Sequence, residues 1–218
     1  DGFTVGSDAK VNSLGVTYYW SAFMAIPGEI KIGSYPGIGA AQSIDGLGFA
    51  PEAVIVIPAT NDEAAIATTA MPAGQSMQLD KETGNFDRIT SLDADGFTVG
   101  VGPPANKDLD MYHYVAWNSV AGKMAVGSYS GDGSDDRSIT GVGFEPQLVI
   151  VKADSNVTGV QHLDAMGSGI DKTLSFLAQA AFANGIQSLG PDGFEVGSDT
   201  TVNAASTNYY WLAFRPQP

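Results

Sequence analysis

Apolar and polar positions alternate with a period of two in several short stretches of this chain. In Met111-Tyr112-His113-Tyr114-Val115-Ala116-Trp117 odd and even positions face opposite sides of a sheet. Val54-Ile55-Val56-Ile57 and Leu148-Val149-Ile150-Val151 are continuous apolar runs, which predicts central strands buried on both faces. Each follows a proline, Pro51 or Pro146, and proline suits the start of a strand better than its interior. Glycine and proline punctuate the chain between β-branched and aromatic runs, the rhythm of many short strands. Strands are predicted near Lys31 to Tyr35, Gln42 to Ile44, Ala53 to Ile57, Ala65 to Thr69, Ser76 to Leu79 and Arg88 to Leu92. A closing pair follows at Gly96 to Val101 and Tyr112 to Trp117. Thr173 to Ala183 is the single stretch with helical composition, and its place in the pattern leaves strand or a short helical turn open.

The strings recur. Asp1-Gly2-Phe3-Thr4-Val5-Gly6 returns as Asp95-Gly96-Phe97-Thr98-Val99-Gly100 and as Asp192-Gly193-Phe194-Glu195-Val196-Gly197. Tyr18-Tyr19-Trp20-Ser21-Ala22-Phe23 returns at Tyr112 to Trp117 and at Tyr209 to Phe214. A third string occurs twice: Gly33-Ser34-Tyr35 through Val54-Ile55-Val56-Ile57 matches Gly127-Ser128-Tyr129 through Val149-Ile150-Val151-Lys152. Repetition of this kind defines the architecture. The expectation is all-β: two tandem antiparallel β-sandwich repeats of jelly-roll-like character, residues 26–118 and 119–218. An extra N-terminal strand pair, residues 1–25, precedes them as the closing hairpin of an incomplete repeat. The chain opens on Asp1 rather than Met, and with the orphan hairpin this is read as a piece of a longer polypeptide. The connection Asn118-Ser119-Val120-Ala121-Gly122 is short, so the two sandwiches are expected to touch.

Composition narrows the function. A net charge of −14, from 24 acids and 10 bases, disfavours nucleic acid and anionic membrane surfaces. There is no cysteine, so disulfides and thiolate metal sites drop out. No apolar run is long enough for a membrane-spanning helix, and no insertion into a membrane is expected.

Catalytic patterns are missing. His113 and His162 stand at non-equivalent repeat positions, without the nucleophile or carboxylate motif that acid–base chemistry needs. There is no nucleophile elbow, phosphate loop, dinucleotide fingerprint or zinc-protease motif. No catalytic residue is assigned, and the chain is read as a non-enzyme. Asp132, Asp135 and Asp136 sit in a Gly-containing loop, where alternating oxygen ligands can hold calcium; Asp, Gly and Ser also make ordinary solvated turns. No other cofactor is implied. Asp8 and Asp199 are read as turn residues that accept from nearby backbone amides.

Two strands alone are marginal in water, and exposed aromatic edges invite pairing. Phe3, Val5, Tyr18, Trp20 and Phe23 are therefore the candidate assembly residues, with the neighbouring domain of the same chain, a preceding repeat or another subunit as partner. The aromatic closing strands supply a second candidate surface. Tyr112, Tyr114, Trp117, Tyr209 and Trp211 could stack on a surface glycan; equally, they could pack in the sandwich or at a domain interface.

The marks Gly127-Ser128-Tyr129-Ser130-Gly131-Asp132-Gly133, Arg137 to Pro146, Gly185-Ile186-Gln187-Ser188-Leu189, Asp192-Gly193-Phe194 and Tyr209-Tyr210-Trp211 resemble a repeat of phage tail-fibre and virion appendage proteins. They also resemble large secreted bacterial repeat proteins. The order of proline, apolar strand, Gly-Phe-x-Val and aromatic closing strand is similar to H-type lectin domains. The resemblance implies a β-sandwich and a structural or adhesive role outside the cell: a subunit of an extracellular filament or viral appendage, or alternatively a carbohydrate-binding adhesin.

Overall fold

The computed structural model describes residues 2–80, 87–167, 172–177 and 179–215. Asp1 of the recurring string and Ala178 of the ambiguous Thr173–Ala183 stretch lie outside the described residues.

The first repeat contains β1 (Ile30–Pro36), β2 (Gln42–Asp45), β3 (Ala53–Pro58), β4 (Ala65–Thr68), β5 (Met77–Gln78), β6 (Ile89–Asp93) and β7 (Gly96–Val99). A short helix α1 (Pro103–Asn106) and β8 (Met111–Trp117) complete it. The second contains β9 (Met124–Ser130), β10 (Arg137–Thr140), β11 (Leu148–Ala153), β12 (Val160–Leu163), β13 (Leu174–Ser175), β14 (Ile186–Gly190) and β15 (Gly193–Val196). It ends with α2 (Thr200–Asn203) and β16 (Asn208–Phe214). The Thr173–Ala183 stretch thus contributes a two-residue strand, not a helix, and Thr173 bridges to Phe182.

Each repeat is an antiparallel sandwich of a five-stranded and a three-stranded sheet. The orders are β1-β8-β3-β4-β5 with β2-β7-β6, and β9-β16-β11-β12-β13 with β10-β15-β14. The closing strands occupy sheet centres. β8 pairs with β1 on one side and β3 on the other, and β7 lies between β2 and β6. Period-two alternation sends Val54, Val56, Tyr112 and Tyr114 into the core between the two sheets of repeat one. Ala53, Ile55 and Trp117 point the other way, into a core shared with repeat two. The apolar run at β11 is thus covered on both faces, and that at β3 from Val54 to Val56, whereas Ile57 is 49% exposed. The two five-stranded sheets meet through that shared core, in which Ile55, Ile66 and Trp117 pack with Leu148, Ile150, Leu212 and Phe214. Burial at about 25 cal/mol per Å² of apolar surface makes this junction part of the fold.

Residues 2–25 differ from expectation. The predicted strands at Gly2 to Gly6 and Thr17 to Phe23 do not form. A strand is stabilised by its neighbours' backbone hydrogen bonds, and among the described residues no strand pairs with these segments.

Candidate functional site

The N-terminal segment keeps the internal contacts of a closing unit without its strands. In repeat one the Tyr112 hydroxyl donates to the Pro103 carbonyl and accepts from the Lys107 amide at 2.8 Å. In repeat two Tyr209 donates to Thr200 at 2.8 Å and accepts from the Ala204 amide at 2.7 Å. The N-terminal Tyr18 repeats the pattern at the equivalent positions: it donates to the Ala9 carbonyl at 2.7 Å and accepts from the Ser13 amide at 3.0 Å. Six residues before each tyrosine stands an asparagine, Asn12, Asn106 or Asn203. Asn12 Nδ2 donates to the Gly6 carbonyl at 2.9 Å and Asn106 Nδ2 to Gly100 at 2.7 Å. Asp8 and Asp199 accept from the amides two residues on, Lys10 and Thr201, both at 2.8 Å, as the turn reading expected.

An aromatic pair bridges the two ends of each unit. Phe97 meets Tyr114 edge-to-face at 5.1 Å, and Phe194 meets Trp211 at 6.0 Å. Phe3 meets Trp20 at 5.3 Å and 82°. In the complete repeats this pair joins the two sheets and is buried. In the N-terminal copy nothing covers it: Phe3 is 61% and Trp20 63% exposed. Val5 and Tyr18 are exposed too.

Phe23 is the anchor. It contacts Trp117 at 5.3 Å and Phe214 at 5.1 Å, while Trp117 and Phe214 meet at 5.2 Å. These three rings hold the same position in three successive copies of the closing string. Beside them opens a cavity of about 590 Å³, bordered by Trp20, Phe23, Trp117, Leu163 and Phe214. The Lys123 ammonium, at 3.0 Å from Glu29, stands on its rim.

The structure therefore brings Phe3, Tyr18, Trp20 and Phe23 together as one unit. It places the glycan-stacking candidates elsewhere. Tyr112, Tyr114, Trp117, Tyr209 and Trp211 are all buried in the cores, so none presents a free face to a sugar ring, and the packing alternative holds for them. The acidic loop is likewise engaged by protein donors. Asp132 Oδ1 accepts from the Ser134 amide at 2.8 Å and from Asn203 Nδ2 at 3.1 Å. Asp132 Oδ2 lies 3.3 Å from Arg137 Nε, and Asp135 and Asp136 both accept from Gln187 Nε2. The Ser134 backbone bond, then Asn203 and Arg137, hold the Asp132 carboxyl below its ordinary range. Among the described residues no group of three acids or histidines is arranged to hold a metal. Asp132, Asp135 and Asp136 thus staple the loop through these bonds. His113 is exposed on β8, and the buried His162 pairs its Nδ1 with the Lys172 carbonyl at 2.7 Å.

Sequence reasoning found the aromatic strings but not the lock within them. The signal was the Asn-x5-Tyr spacing common to all three copies.

Residues 123–215 match the family described as Domain of unknown function (DUF7483). The match runs from the edge of β9 to the end of β16, so it spans one body followed by its own closing strands. No curated protein and no solved structure matches the chain. The described residues contain no helix long and apolar enough to cross a membrane.

Proposed function

We propose that this chain is a non-enzymatic structural subunit of an extracellular filament or viral appendage. Its sandwiches are the building blocks, and the open N-terminal unit is the joint to a neighbouring sandwich. The observation that carries the reading is Phe3 against Trp20: a core pair of the repeat, assembled and oriented but uncovered. Exposed apolar patches mark interaction sites, and strand addition on binding would give this segment affinity and register.

The experiment is deletion of residues 2–23 with assembly followed by light scattering and electron microscopy. The intact chain associates with rising concentration and the shortened chain stays monomeric. Identical association of the two would contradict the reading.

A further inference from the structure

One face of the β1-β8-β3 layer meets repeat two along only part of its length. On β8, strand alternation puts Met111, His113, Val115 and Trp117 on that face. Trp117 is buried in the core between the sandwiches, and Val115 packs against that core. Further along the strand the cover ends: His113 and Met111 are exposed. The flanking strands show the same gradient. On β3, Ile55, opposite Val115, is buried in the junction, whereas Ile57, opposite His113, is exposed. On β1, Ile30, opposite Trp117, packs against the junction, whereas Ile32, opposite Val115, is 48% exposed. Ile32, Ile57, Met111 and His113 thus form an open patch that continues the interface between the two sandwiches.

A second group of exposed apolar side chains, Phe3, Val5, Tyr18 and Trp20, stands on the N-terminal segment. Phe23 of the same segment packs on Trp117 at 5.3 Å. The face of β8 that carries the patch therefore already accepts a ring of the closing string at its covered end. Both groups are open, so within one chain they do not cover each other.

Charge selects the partner. The chain carries 24 acids against 10 bases, so two copies repel each other over most of their surface. The three strands of the patch, residues 30–36, 53–58 and 111–117, contain no Asp or Glu and a single Lys, Lys31. Residues 2–24 carry one acid, Asp8, balanced by Lys10. Both surfaces thus let copies of a strongly acidic chain approach with little like-charge cost. They are different surfaces, so a contact between them is heterologous and continues from copy to copy.

We propose that the N-terminal segment of one copy docks on the Ile32, Ile57, Met111 and His113 patch of the next copy. The proposal rests on reading residues 2–23 as the joint, and it names the surface that receives the joint. The Phe3–Trp20 pair, held edge-to-face at 5.3 Å, is the apolar insert, and Ile32, Ile57 and Met111 are its floor. β1 is the outer strand of its sheet, so the patch runs out to an open edge where strand addition is available.

The test is complementation between defective variants, followed by sedimentation velocity. One variant, Phe3→Ser with Trp20→Ser, loses the insert. Two others, Ile57→Asp and Met111→Asp, each put an acid on the patch. All four positions are exposed, circular dichroism checks the folded state, and the second patch variant serves if the first does not fold. Each variant alone stays monomeric at concentrations where the intact chain associates. A 1:1 mixture of the insert variant with a patch variant gives a dimer and nothing larger, because each supplies the surface that the other lacks. Mixtures that stay monomeric overturn the proposal, since they show a contact between like surfaces. If the folded patch variants associate as the intact chain does while the insert variant does not, the joint stands and the patch falls. An intact chain that never associates, or an insert variant that associates equally well, removes the joint and the proposal with it.

Discussion

Trp117 and Phe214 occupy the same position of successive repeats, and their rings meet at 5.2 Å in the core between the sandwiches. Their contact, closed by Phe23, is where local strand order becomes the geometry of the whole chain. Truncating Trp117 to Ala should cost about 3–5 kcal/mol, as for other large buried aromatics. Trp117→Phe should cost under about 1.5 kcal/mol, since it is a hydrophobic swap at a site where phenylalanine already serves twice. The Trp117 indole Nε1 has no hydrogen-bond partner to lose. Denaturant unfolding of the three proteins checks the order.

Gly127 and Gly33 are required by close approach, not by turn geometry. A Cβ at Gly127 would meet the six-membered ring of Trp211, and a fused ring held in a core cannot step aside. Gly127→Ala should destabilise by about 1–3 kcal/mol through overpacking. Gly46→Ala lies in open space at φ +84° and tests a different cause, backbone strain. Thermal melts of both variants separate the two, because Gly127→Ala together with Trp211→Ala should recover part of the overpacking loss.

Lys152 is a fully buried ammonium that donates to the carbonyls of Ala153, Ser155 and Val157 at 2.8, 3.1 and 2.8 Å. It folds the β11–β12 turn around its own tip, the turn whose Thr158 and Gly159 reach Leu79. Lys152→Met keeps the length and removes the donors. Each buried acceptor left without a partner costs about 1–3 kcal/mol. The variant should lose stability and loosen the contact between the repeats, read as faster amide exchange at Gly159.

Burial pushes the phenols of Tyr35 and Tyr129 up from their ordinary 10.0, helped by the neighbouring Tyr112 and Tyr209. The sign follows from proton counting. Above about pH 10 the unfolded chain has released these protons and the folded chain has not, so stability falls as pH rises. Below that value the contribution is fully present. Absorbance at 295 nm should show Tyr35 and Tyr129 ionising only with unfolding, whereas Tyr35→Phe and Tyr129→Phe should flatten the alkaline loss.

Much of the architecture is legible in the chain. Alternation at 111–117 and the doubly apolar runs at 54–57 and 148–151 place β8, β3 and β11, because burial on one or both faces is written in the period itself. The repeats likewise announce two sandwiches. The N-terminal strings misled for a physical reason: Thr17 to Phe23 has the side chains of β8, but a strand exists through hydrogen bonds to neighbours, and those are not encoded locally. The aromatic faces misled similarly. Period two assigns Tyr112 and Tyr114 to one face and Trp117 to the other, without saying that sheet packing covers both. The two short helices were not predicted: Asp199, read as a turn residue, caps α2 by accepting from Thr201, and α1 carries prolines in its first turn.

The central claim is that residues 17–23 carry the closing string, held in place by side-chain contacts without strand pairing of their backbone. Amide hydrogen exchange of the intact chain at low concentration tests it most directly, residue by residue. The account predicts near-unprotected exchange over residues 17–23, against the slowest exchange in the molecule at 111–117 and 208–214. Equal protection of all three segments would contradict it.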